Sequence, residues 1–378
     1  MNYKEKAIKL HKESKGKIEI KSKVSLKNLN DLSLIYTPGV GEVTRAIKKS
    51  PFKSFDLTGR GNTIAILTNA SAILGLGDVG AEAGLPVMEG KSVIFKEFAD
   101  LNAIPLCINC SRVNDLVKFA LQIEPNYAAI NLEDVKAPDC FSVLEKLEKR
   151  LSIPVFHDDK DGTAIAVLAG LINIAKLKKK SLKNLKIIIN GAGAAGIGIS
   201  ELLIAYGVSD IILLDSKGII SQERKDLNKY KRKIARKTNL NNLRGNLAKA
   251  LKGGDVFIGV SKGKILKKSW IKNMNPGPII FALANPTPEI LPEEAQKAGA
   301  FIVGTGRSDY PNQINNALVF PGIFKAIIEN KIKKLDNILK IEAAQSIANT
   351  LKQPSRDNIL PGVLDRRVVS RIVKDLKK

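Results

Sequence analysis

Between residues 162 and 316, short apolar runs alternate with longer stretches whose apolar positions recur every three to four residues. The pattern predicts strands at 186–190, 210–214, 255–260, 278–282 and 301–303 separated by helices, as in a doubly wound sheet. Residues 162–177 are apolar on nearly every side and rich in small side chains, which predicts a buried helix. An earlier set of apolar runs lies at 63–67, 92–95, 104–108, 127–132 and 153–156, with helical spacing at 113–122 and 141–151. Beyond residue 319 the spacing is helical, at 322–330 and 336–351, before a proline-interrupted tail.

The strand at 186–190 runs straight into Gly191-Ala-Gly193-Ala194-Ala195-Gly196 and a helix, and the next strand ends on Asp215. This is the full context of a dinucleotide-binding turn. Gly191 permits the tight turn, Gly193 lets backbone approach a pyrophosphate, and Gly196 lets helix pack on strand. Ala194 and Ala195 open a helix whose free N–H groups face the phosphates, and Asp215 is placed to accept hydrogen bonds from a ribose. The expected fold class is therefore α/β. An N-terminal α/β domain spans 1–157, and a Rossmann-type domain spans 158–378, its part from about 317 to 378 being helical and able to pack back on the first domain. Gly75-Leu-Gly77-Asp-Val-Gly80 matches the same glycine spacing, but Gly84 and Pro86 follow. The sequence predicts a plain turn there, no long helix, and a strand at 92–95.

With 378 residues, 44% apolar and 26% charged, the chain has the composition of an ordinary folded protein of two domains. Its longest apolar stretch, 164–175, is too short for a membrane span, and residues 1–6 resemble neither a secretory signal nor a transit peptide. A cytoplasmic protein without a membrane partner is expected. Three cysteines and two histidines support neither a disulfide framework nor a zinc cluster, so Cys107, Cys110 and Cys140 are expected to be buried structural thiols. The net charge of +24 raises nucleic-acid binding, but the lysines are scattered and aromatics make up only 5%. No specific nucleic-acid partner is expected.

Glu133-Asp134 closes the strand at 127–132, and Asp158-Asp159 closes the strand at 153–156. Ligands of α/β proteins sit beyond strand carboxyl ends, where such acids can converge. Hard oxygens without thiol or imidazole partners suit Mg²⁺ or Mn²⁺. The competing reading is solvated loop acids or helix caps, and Asp161 is placed to cap the helix after it. Tyr36 precedes a helix starting near Glu42, Lys91 precedes the strand at 92–95, Asn285 ends a strand, and Asn316 precedes a Phe-Pro-Gly turn.

Seven segments in this order and spacing resemble the malic enzyme family in its short form: 36–40, 73–80, 85–91, 131–134, 156–164, 284–289 and 313–316. The likeness runs from about residue 30 to 325. It implies oxidation of L-malate, decarboxylation to pyruvate and CO₂, and reduction of NAD, with NADP as the other candidate. It further implies Glu133, Asp134 and Asp159 as ligands of Mg²⁺ or Mn²⁺, and Lys91 as a general base whose pKa is lowered. Asp158 would orient Lys91, Tyr36 would protonate C3 of the enolate, and Asn285 and Asn316 would hold the substrate carboxylate and the nicotinamide end. A homodimer or higher homo-oligomer is expected. Ser71-Ala72 stand where larger members carry an arginine, and Lys160-Asp161 where short members often carry glutamine and histidine. Asp215 favours NAD, whereas Ser216-Lys217 suits a 2′-phosphate. Two other readings are a metal-independent dehydrogenase of the amino-acid or folate type and a non-catalytic basic binding protein.

Overall fold

A computed structural model of the chain describes residues 3–73 and 75–377. The chain opens with helices α1 (Tyr3–Ser14), α2 (Leu29–Ile35), α3 (Val40–Lys49) and α4 (Ser54–Leu57), none of which has a buried residue. There follow β1 (Thr63–Thr68), α5 (Ala81–Ala99), β2 (Asn102–Cys107), α6 (Val113–Ile123), β3 (Ala129–Leu132), α7 (Asp139–Arg150) and β4 (Val155–His157). These four strands pair in parallel in the order β2-β1-β3-β4. All four residues of β3 are buried, as in parallel strands covered on both faces.

The strand expected at 92–95 does not form, and the turn expected at 75–80 leads into a long helix. Ala81, Gly84, Met88, Ser92, Phe95 and Ala99 lie three to four residues apart and make the buried face of α5. Pro86 removes one helical hydrogen bond, at a cost of about 3 kcal/mol. Burial of Met88 and Phe95, both 0% exposed, offsets that at about 1.5–3 kcal/mol each. Gly84 lets the helix approach the chain after β1, since a Cβ there would stand 2.7 Å from that of Ala70. Lys91 therefore rides on a helix rather than preceding a strand.

The second sheet begins after α8 (Thr163–Lys178), in which every residue from Ala164 to Ile174 is buried. Its elements are β5 (Ile187–Asn190), α9 (Ala194–Tyr206), β6 (Ile211–Asp215), β7 (Gly218–Ile219), α10 (Lys229–Ala235), α11 (Leu247–Ala250), β8 (Val256–Gly259), α12 (Lys268–Ile271), β9 (Ile279–Ala282), α13 (Pro292–Lys297) and β10 (Ile302–Thr305). The order is β10-β9-β8-β5-β6-β7, parallel throughout except for β7. It reverses between β5 and β8, where a crevice opens beyond the strand carboxyl ends. Helices α14 (Phe320–Glu329), α15 (Asn337–Thr350) and α16 (Arg367–Asp375) complete the chain. Phe320 of α14 packs on Phe95 of α5 with tilted rings 4.6 Å apart, and Phe324 meets both Phe95 and Phe156 of β4 edge-on, at 5.2 and 5.8 Å.

Cys140 is buried, while Cys107 and Cys110 are only half-buried. Burial pushes the Cys107 and Cys140 thiols up to about 11 and about 12, as befits inert side chains. Among the described residues no helix is long and apolar enough to cross a membrane.

Candidate active site

Strands β3 and β4 are parallel neighbours with Leu132 opposite His157. The residues that follow each strand therefore emerge side by side, and the two acid pairs converge. Residues 158–162 form a single wide π-type turn, and the Thr163 N–H donates to the Asp158 carbonyl. Gly162 makes room for it, because a Cβ there would lie 1.9 Å from Asp158 Oδ1. Asp134 is turned by a left-handed backbone (φ 48°), and its N–H donates to Asp159 Oδ2 at 2.8 Å. One oxygen from each of Glu133, Asp134 and Asp159 lies within 4.8 Å of the others.

Lys91 enters this cluster from α5. Its Nζ donates to Asp158 Oδ2 at 2.5 Å, lies 3.0 Å from Glu133 Oε2, and sits 4.5 Å from the Phe320 ring centre. Asn316 Nδ2 also donates to Asp158 Oδ2, at 2.6 Å, and Asn131 Nδ2 donates to Glu133 Oε2, at 2.8 Å. His157 Nε2 is 3.6 Å from Asp159 Oδ2. Asn131, His157 and Phe320 were not singled out by sequence reasoning. A buried asparagine in an apolar strand, two residues before an acid and so on its face, is the signal that marks Asn131. Nothing in the sequence marks Phe320.

Four carboxylates here face one ammonium group, a local charge of −3 when all are ionised. Burial pushes Asp158 up to about 7. Burial and mutual repulsion likewise lift Glu133, Asp134 and Asp159 above the carboxylate range. For Lys91, burial alone would favour the neutral amine, yet Asp158, Glu133 and Asp159 outweigh it and hold the ammonium above its ordinary value. The lowered lysine pKa expected from sequence is thus reversed by the carboxylates around Lys91. His157 is driven down to about 3 by burial, and both its ring nitrogens lack hydrogen-bond partners. Asp158 Oδ1 is buried and unpartnered as well. Excess negative charge on hard oxygens fits a divalent cation. Asp161 caps no helix and instead pairs with Lys160 and Lys340.

The glycine turn lines a cavity of about 1210 Å³ with Asp215, Arg224, Lys231 and Arg244. Gly191 has φ +124°, and a Cβ there would lie 2.5 Å from Val260 O; one at Gly196 would lie 1.7 Å from Gly191 O. At Gly193 nothing lies within 4 Å, so its open face is available to a ligand. Ala194 and Ala195 form the first turn of α9. Asp215 does not stand free for a ribose. Arg224 donates to both its oxygens at 2.8 and 3.1 Å, and Lys231 Nζ donates at 2.7 Å. Those bonds outweigh its burial and hold Asp215 below the usual range. Arg224 and Lys231 were missed in the sequence because they lie 9 and 16 residues past the strand end.

Asn285 is half-buried after β9, and Pro286 beside it packs on the Gly75 turn, where a Cβ would lie 3.0 Å from Pro286 Cδ. Tyr36 is not brought into the cluster; it stands 67% exposed at the end of α2.

The family model described as "Malic enzyme, NAD binding domain" matches residues 161–375, and "Malic enzyme, N-terminal domain" matches 15–115. The chain is 46% identical to the bifunctional malic/malolactic enzyme of Bacillus subtilis, over all of this chain and 93% of that protein. It is 44% identical to the NADP-dependent malic enzyme of Rhizobium meliloti, over 94% of this chain and 47% of that longer protein. The crystal structure of the NAD-dependent malic enzyme of Thermotoga maritima superposes with a TM-score of 0.95, at 45% identity and 98% coverage of both chains. With likeness of this extent in sequence and in structure, and with two acid pairs converging beside a dinucleotide crevice, this chain belongs to the malic enzyme family.

Proposed function

We propose that this protein oxidises L-malate at the Lys91 cluster while reducing a nicotinamide dinucleotide, and decarboxylates the product to pyruvate and CO₂. The observation that carries this reading is the contact of Lys91 Nζ with Asp158 beside Glu133, Asp134 and Asp159. Once a bound cation offsets the carboxylates that hold its proton, Lys91 can stand as the neutral amine that takes the C2 hydroxyl proton, while Asp158 and Asn316 fix its direction. Glu133, Asp134 and Asp159 hold Mg²⁺ or Mn²⁺. When bound, that cation supplies Lewis-acid polarisation and neutralises the cluster's excess charge. Tyr36 supplies the proton to C3, which requires its exposed segment to be drawn against the cluster.

The substrate carboxylate lacks an arginine before Ile73. The Gly75–Gly80 turn supports backbone recognition instead, since Gly77 and Gly80 adopt positive φ with open space around them. Asn285 holds the nicotinamide end beside this turn. Because Arg224 and Lys231 neutralise Asp215 and Arg244 lines the same cavity, the 2′-phosphate of NADP is accommodated alongside NAD. A homodimer completes the reading. Tyr3, Ile8, Leu29, Leu34 and Phe52 are 67–90% exposed on the N-terminal helices and the turn after them, and a second copy covers them.

Purified protein with L-malate, Mn²⁺ and each dinucleotide tests the proposal. Stoichiometric pyruvate and reduced nicotinamide are expected. Absence of both with either dinucleotide refutes it.

A further inference from the structure

The turn that carries Asp158 and Asp159 carries two more charged residues, whose partners lie outside the acid cluster. Lys160 Nζ is 2.8 Å from Glu201 Oε2 and 3.2 Å from Asp161 Oδ1, and Lys340 Nζ is 2.9 Å from Asp161 Oδ2. The side chains of Lys160, Asp161 and Lys340 are 7–13% exposed, and that of Glu201 is 31% exposed. Two cations thus balance two anions in a largely dry space. Such an arrangement seldom stabilises a fold more than apolar side chains of the same volume would. What it supplies is direction, because each bond fixes one element against another.

The elements it fixes are the catalytic turn and the dinucleotide helix. Glu201 belongs to α9, which the Gly191–Gly196 turn opens, and Lys340 belongs to α15. The backbones also touch, since a Cβ on Gly198 would stand 2.3 Å from Lys160 O. Gly198 lies four residues beyond Ala194, about 6 Å along the helix axis. One peptide bond then separates Lys160 from Asp159.

We propose that Lys160, held by Glu201, is a positioning residue that fixes the 158–162 turn against the dinucleotide-binding helix and so sets where Asp159 and Asp158 stand. The inference rests on the reading of Glu133, Asp134 and Asp159 as the cation site. Lys160 touches none of the reacting atoms; it acts through its neighbours in the turn.

The test uses the full chain with Lys160→Met, Lys160→Arg and the double variant Lys160→Met/Glu201→Met. Mn²⁺ affinity is read from the paramagnetic resonance of the free ion, dinucleotide affinity from fluorescence, and kcat from malate oxidation. Thermal midpoints are recorded in parallel. Lys160→Met is expected to weaken Mn²⁺ binding and to lower kcat by about tenfold or more, as loss of an outer partner of a metal site does. Its dinucleotide affinity should stay within about threefold. The double variant, with balanced charge, should regain the wild-type thermal midpoint but neither Mn²⁺ affinity nor kcat. Lys160→Arg should keep both within about threefold. A double variant with wild-type Mn²⁺ affinity and kcat overturns the inference, because the pair then only balances charge. So does a Lys160→Met variant altered in dinucleotide affinity alone. Wild-type protein that binds no Mn²⁺ refutes the cation site itself and this inference with it.

Discussion

Lys91 Nζ and Asp158 Oδ2 lie 2.5 Å apart, the carboxylate fully buried and the lysine side chain 13% exposed. The contact joins a helix of the first sheet unit to the turn that opens α8, so the two side chains come from segments 67 residues apart. In this reading Lys91→Ala lowers kcat for malate by about 10²–10⁴, the usual value of a positioned base. Lys91→Arg preserves the charge but cannot give up its proton at working pH, so it should fold like the wild type and be as inactive as the alanine variant. Dinucleotide affinity, measured by fluorescence, should hold within about threefold in both. A well-folded Lys91→Arg enzyme with near wild-type turnover removes Lys91 from the role of base.

In the same reading the cluster makes stability depend on pH and on metal. An acid whose folded pKa exceeds its unfolded value binds more protons when folded, so its contribution to stability falls as pH rises between the two values. For Asp158 that window runs from about 4 to about 7, and Glu133, Asp134 and Asp159 are displaced in the same direction. In chelator the thermal midpoint should therefore decline as pH rises through this range. Added Mn²⁺ should raise it more at pH 8 than at pH 5, because the ligands must be deprotonated and the ion binds only the folded form. Equal shifts at the two pH values speak against a carboxylate cation site.

The two strand-end acid pairs and the glycine turn were legible because parallel α/β topology places residues after adjacent strands together, and local spacing reveals both. The helix at 81–99 was not, because Pro86 and Gly84 read as breakers and only tertiary burial of Met88 and Phe95 overrides them. The partners of Asp215 were equally hidden. Their distance along the chain carries no periodic signal, and only the return of α10 brings Lys231 to the strand end. The raised Lys91 pKa follows from summed charge in a buried space, which spacing cannot weigh.

Cofactor choice gives a third prediction. Arg224 and Lys231 reach the position at the end of β6 where a ribose 2′ substituent is read in this fold, and both already hold an anionic carboxylate. Arg224→Ala should weaken NADP binding by about tenfold or more and change NAD binding by less than about threefold, since one charged hydrogen-bond pair contributes about 1.5–3 kcal/mol. Competition with adenosine 2′,5′-bisphosphate against 5′-AMP reads the same difference without turnover. Parallel losses for both dinucleotides place Arg224 in support of the loop and not at the 2′-phosphate.

Two glycines separate the halves of the site. At Gly162 a methyl group would enter the space of Asp158 Oδ1, 1.9 Å away, while φ there is −62° and poses no strain. Gly162→Ala must therefore push the Asp158 carboxylate off Lys91, and kcat should fall steeply with dinucleotide affinity nearly unchanged. At Gly191 the methyl meets backbone, Val260 O at 2.5 Å, and φ of +124° is closed to alanine. Gly191→Ala should abolish dinucleotide binding while Mn²⁺ affinity survives, because the acid cluster takes no residue from that turn. Loss of both functions in each variant would show that the crevice and the acid cluster fold as one inseparable unit, and the division of labour between them would have to be abandoned.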